Sequence, residues 1–120
     1  MKILALYKPE QHNPEQHNPP TPELITRMNA FIEEMYKAGK LIATEGRKAG
    51  APGMKIRMRK GELSVTDGPF TEAKEIIGGF ALMNVASREE TIALTKRFLE
   101  IAGDGESEII EMFEAPENHG

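Results

Sequence analysis

The amino-acid sequence predicts an α+β fold, and three observations carry that expectation. Two segments repeat apolar residues at helical spacing, and each opens with an N-cap residue. Between them, "MKIRMRKGELSVT" alternates apolar and polar residues around Lys60-Gly61, the pattern of a β-hairpin. Short apolar runs suited to strands open the chain and stand near its end.

Taken in order, Ile3 to Tyr7 reads as a buried strand. Residues 8–20 hold Pro9, Pro14, Pro19 and Pro20 and repeat the pentamer "PEQHN"; prolines forbid a helix here, so the segment reads as an exposed loop. Thr21 is a good N-cap, and Pro22 sits where its missing N–H costs nothing. Leu24, Met28, Phe31, Ile32, Met35 and Tyr36 then form one stripe of a helix that Gly39 ends. "KLIATEG" is a strand and "RKAGAPG" a loop.

In the hairpin, Met54, Ile56 and Met58 face one way, joined by Leu63 and Val65; Lys55, Arg57 and Arg59 form a wet face. Gly78-Gly79 reads as a bend leading into the strand "GGFALMNVA". Ser87 and Glu90 make a capping box for a second helix, with Leu94, Phe98 and Ile101 inward and Gly103 at its end. "SEIIEMFEA" is the last strand, and residues 115–120 are a flexible tail. The methionines at 28, 35, 54, 58, 83 and 112 fall at core periodicities.

With the hairpin set aside, β-α-β-β-α-β remains, the ferredoxin-like split unit. Two helices cover one face of such a sheet. The other face is left bare, and a bare apolar face predicts a second copy as partner.

A chain of 120 residues suits one domain with a core that needs no staples. Net charge of −4 argues against a general nucleic-acid binder, because no basic surplus neutralises phosphates. The absence of cysteine excludes disulfides and thiolate sites and suits the cytoplasm. The apolar run at the start is too short for a membrane span or a signal-peptide core. No cofactor-binding spacing and no nucleophile motif stand in the chain.

Asp67 has two readings. It can accept backbone N–H bonds in a turn shaped by Gly68 and Pro69, or it can be a partly desolvated acid at the mouth of a pocket, suited to proton transfer. Glu45 can sit across that pocket, and Arg57 can hold an anionic group. Glu72 lines the same mouth or belongs to a solvated helical turn with Lys74 and Glu75. His12 and His17, one in each pentamer, can bind a metal with Glu10 and Glu15, but no supporting framework is visible and the repeat reads more simply as an accident of loop length; the loop can also carry either histidine over the pocket.

"TDGPFTEAKEIIGGF", Thr66 to Phe80, resembles the defining motif of the YCII-related proteins, in the subgroup named for its DGPF segment. "PPTPELITRMNAFIEEMYKAGKLIATEG" and "RFLEIAGDGESEIIEMFE" extend the similarity over nearly the whole chain. The resemblance implies a bacterial dimeric α+β barrel of unassigned function. A small metabolite would bind in its cavity, with Asp67 supplying acid–base chemistry and Phe70 of the same motif a contact. The alternative it implies is a regulatory accessory of an extracytoplasmic-function sigma factor, on the ground that some members are encoded beside one. Asp67, Gly68, Pro69 and Phe70 match the motif; the histidine implied for the pocket has no counterpart outside the loop and tail, where His12, His17 and His119 lie. Arg47 and Lys48 replace the hydrophobic residue and proline common after the glycine at position 46.

Overall fold

The computed structural model describes residues 1–10, 21–47, 53–68 and 77–114. Strand β1 (Lys2–Pro9) leads to helix α1 (Pro22–Lys37) and strand β2 (Leu41–Gly46); strands β3 (Met54–Arg59) and β4 (Glu62–Asp67) follow, then β5 (Gly79–Asn84), helix α2 (Arg88–Ala102) and β6 (Gly105–Glu111). Four strands form one antiparallel sheet in the order β2-β5-β1-β6, and β3 and β4 form a separate two-stranded sheet. The element order is the one read from the sequence. No helix among the described residues is long and apolar enough to cross a membrane.

The local signals act as their chemistry requires. The Thr21 hydroxyl accepts the Leu24 N–H (3.2 Å), Pro22 takes the first helical position, and Gly39 adopts φ 72° just beyond the Ala38 C-cap. Lys60 and Gly61, at φ 50° and 80°, close the two-residue hairpin turn with the left-handed backbone that such turns need. The capping box of α2 closes differently from the standard pattern. Ser87 Oγ accepts the Glu90 N–H at 3.1 Å, but Glu90 reaches back to the N–H of Ala86 (3.0 Å) and not to that of Ser87. Its other oxygen takes Lys40 Nζ at 2.8 Å, which ties the start of α2 to the start of β2.

The core is Ile3, Phe31, Met35, Leu41, Met83 and Val85, with Ile32, Leu94, Phe98 and Ile101 packed against it. It lies between the helices and one sheet face. Alternation turns Leu4, Leu6, Phe80, Leu82 and Ile110 to the other face, where the register sets Leu4 beside Leu82 and Ile110, and Leu6 beside Phe80. No helix among the described residues covers that face, and Phe80 and Ile110 are exposed there.

Three expectations need correction. Tyr36 lies on the exposed side of α1, because the stripe that reaches the core is narrower than the apolar run. Gly78-Gly79 is less a bend than a strand entry: Gly79 opens β5, and a Cβ on it would stand 2.9 Å from the Glu45 carbonyl oxygen. The hairpin has no dry face among the described residues. Met54, Ile56, Met58, Leu63 and Val65 are 56–64% exposed, so Met54 and Met58 are not core residues. Alternation had marked these side chains as sharing a face; what covers that face is not encoded in alternation.

Candidate functional site

A cleft of about 570 Å³ opens between the helical layer and the sheet. Its floor is the helix-facing side of the strands, including Ala5, Tyr7, Thr44, Ala81 and Met83. Its roof is the inner side of the helices, including Met28 and Phe31 from α1 and Leu94, Thr95 and Phe98 from α2. Small residues on the strands explain the space. Ala5 and Ala81 face each other across β1 and β5, and Gly46 and Gly79 pair at the β2 end, so the floor carries little side-chain bulk.

The helices are held over this floor from outside. Arg97 of α2 makes two parallel bonds to the Glu34 carboxylate of α1, at 2.7 and 2.9 Å, and its guanidinium lies 4.9 Å from the centre of the Phe31 ring. The hydrogen bond from Arg97 pulls Glu34 below the ordinary carboxylate value and raises Arg97 in turn.

The cleft wall is apolar with a few hydroxyls. The Tyr7 ring meets the Phe98 ring edge to face at 5.2 Å, and its hydroxyl is 3.4 Å from the Asp104 carbonyl oxygen, a long contact. Burial pushes the Tyr7 phenol above its ordinary value, and the Asp104 carboxylate adds to the shift. The phenol is therefore a neutral donor at physiological pH. Thr44 Oγ1 is committed to the Phe80 carbonyl at 2.7 Å. Thr95 and Ser107 also line the cleft, and their hydroxyls make no bond to other described residues. A second, open hollow of about 620 Å³ adjoins at Tyr7, Pro9 and Ala102 and adds Glu10 and Asp104. The Glu10 N–H donates to the Asp104 carbonyl (3.1 Å), which joins the end of β1 to the turn before β6.

The residues singled out from sequence are dispersed. Glu45 borders the cleft, but it pairs with Phe80, on the sheet face opposite Thr44 and Ala81. Arg57 is exposed in β3, opposite Ser64. Asp67 is exposed at the end of β4, opposite Met54, and the Gly68 N–H beside it donates to the Gly53 carbonyl at 3.0 Å. Neither Asp67 nor Arg57 lines the cleft. His12, His17, Phe70 and Glu72 lie outside the described residues, as do the helical turn expected with Lys74 and Glu75 and the tail. Among the described residues no group of three His, Cys, Asp or Glu is gathered for a metal.

Sequence reasoning missed Tyr7, Thr95 and Ser107. Tyr7 closes an apolar strand run, where it passes as core; its role is visible only once β1 is paired and Phe98 stands beside it.

No curated protein matches the chain. A family model described as the YCII-related domain matches residues 1–114, nearly the full length of this chain. The protein therefore belongs to the YCII-related domain family.

Proposed function

We propose that the protein binds a small, uncharged, largely apolar metabolite in the cleft between its helices and its sheet. The observation that carries this reading is a cleft of about 570 Å³ walled by aromatic, aliphatic and methionine side chains, with only a few hydroxyls. Pockets of this size and lining suit a ligand whose body is apolar and whose orientation is set by one or two hydrogen bonds. An anion placed there would lose water without gaining a counter-charge, since the described residues that line the cleft include no basic side chain. Among the described residues, the neutral Tyr7 phenol and the Thr95 and Ser107 hydroxyls are available to orient the ligand.

On this reading the protein is a ferredoxin-like subunit of the DGPF-bearing subgroup. It works in the cytoplasm as a homodimer, and its bare sheet face closes on a second copy to form a barrel. The exposed Phe80 and Ile110 on that face support this. Acid–base chemistry through Asp67 is no part of the helix-side cleft, because Asp67 lies outside that cleft; it belongs, on this reading, to the barrel interior on the other side of the sheet. A regulatory partner such as a sigma factor is the rival occupant of the bare face.

Titration with N-phenyl-1-naphthylamine, a neutral probe that fluoresces in apolar surroundings, tests the reading. Saturable binding at one probe per chain, weakened about tenfold or more by Thr95→Phe, is expected. Absence of binding, or binding that Thr95→Phe leaves unchanged, would overturn it.

A further inference from the structure

The cleft differs from end to end. At one end Met83 pairs with Ile3 and Leu41; at the other a row of paired residues runs Gly46, Gly79, Tyr7, Ser107. From Ile3 to Tyr7 along β1 is a span of about 13 Å. Buried Met35, Leu41 and Met83 wall the first end, and none of these side chains is a strong hydrogen-bonding group.

Acceptors gather at the second end. There the cleft meets the open hollow of about 620 Å³ across Tyr7, Pro9 and Ala102, and Glu10 and Asp104 complete that hollow. Ala102 is the last residue of α2. The carbonyls of a helix's last turn point out of its C-terminal end and carry its negative pole, and α2 has no basic residue in that turn to answer them. Among the described residues, no Lys, Arg or His lines the cleft or the hollow. Burial, and then the Asp104 charge, hold the proton on the Tyr7 phenol, so that charge reaches the edge of the cleft.

We propose that the ligand lies in one direction, its apolar body toward Met35, Leu41 and Met83 and its polar end at Tyr7 beside the acidic hollow, and that this polar end is an alcohol hydroxyl. This rests on the cleft reading above and adds to it the class of ligand and the way round that it binds. The chemistry of the polar end makes the selection. A hydroxyl can donate to a carboxylate or to a carbonyl at the end of α2, and a donor bonded to a charged acceptor makes the stronger kind of hydrogen bond. The same hydroxyl oxygen can accept from the Tyr7 phenol. An ether or a ketone only accepts, so it meets the carboxylates with nothing to give them. A carboxylate head brings a third negative charge to Glu10 and Asp104 and finds no cation there.

Three competitors of matched size test this against bound N-phenyl-1-naphthylamine at neutral pH: 1-octanol, its isomer 1-methoxyheptane, which has no donor, and octanoate. The alcohol is expected to displace the probe at a concentration about tenfold below that of the ether, with octanoate weaker still. Replacing both carboxylates, as Glu10→Ala with Asp104→Ala, keeps the backbone bond between these residues and is expected to bring alcohol and ether within about threefold of each other. If the double variant fails to fold, each single variant is read in the same way, with a partial loss of the alcohol's advantage expected. Equal displacement by alcohol and ether, or an advantage that survives removal of the carboxylates, would overturn the hydroxyl head and leave binding in the cleft standing. Failure of the probe itself to bind would overturn the cleft reading, and this inference with it.

Discussion

Ile3 is the most deeply buried side chain among the described residues, 1% exposed, and it packs with the helices and β5 in the core. Ile3→Ala removes buried methyl groups from a small core and is expected to cost about 2–5 kcal/mol in urea unfolding. Gly79 matters for a different reason. Its backbone runs so close to β2 that an added Cβ would meet the Glu45 carbonyl oxygen at 2.9 Å and Gly46 Cα at 3.3 Å. Gly79→Ala must push two strands apart at the cleft's edge, and a loss of roughly 1–3 kcal/mol is expected by the same measurement. Tyr7 links stability to alkaline pH. Its folded value is raised, so the native state holds the phenolic proton more firmly than the unfolded state does. The stability this provides is complete below the ordinary tyrosine value of about 10 and is lost as pH rises through the folded value. Tyr7→Phe is expected to flatten that alkaline fall in stability; an unchanged fall would mean that Tyr7 is not its source.

At the scale of elements, the two helix starts were legible because an N-cap is a local device. Thr21-Pro22 and Ser87 need only their own next turn, and both act as read. The Lys60-Gly61 turn was legible for the same reason. The reach of Glu90 was not, since its partner Lys40 is fifty residues away in sequence. That bond and the Ala86 N–H hold Glu90 below the ordinary carboxylate value, as Arg97 holds Glu34. A depressed folded value means that the unfolded state binds more protons as pH falls. The stability from both pairs is therefore present above about pH 4.3, the unfolded value, and is lost as pH drops through the folded ones. Glu90→Gln is expected to make the acid limb of a stability–pH profile shallower, and Ser87→Ala to cost about 1 kcal/mol at any pH.

At the scale of the molecule, periodicity identified which residues share a face but not what each face meets. The helix stripes, the alternating strands and the bare sheet side were all readable, because each is a pattern within one element. The cleft was not, because it arises where Ala5, Ala81 and the paired Gly46 and Gly79 leave space under helices that come from distant parts of the chain. Asp67 was readable as a candidate from its motif, yet its place opposite Met54 on an exposed hairpin emerges only from the register. The bare face makes a separate prediction. Leu82→Glu places a charge at its apolar centre and is expected to weaken dimerisation roughly thirtyfold or more in sedimentation equilibrium, with little effect on the fold of the subunit.

The central claim is that the space beneath the helices is a ligand cleft, and Ala81→Leu tests it most directly, read for stability and for probe affinity together. If the cleft is real, the longer side chain fills it: urea unfolding should show a gain of about 1–2 kcal/mol while N-phenyl-1-naphthylamine binding is lost. A loss of stability with probe binding intact would mean that Ala81 is already closely packed and that the ligand site lies elsewhere.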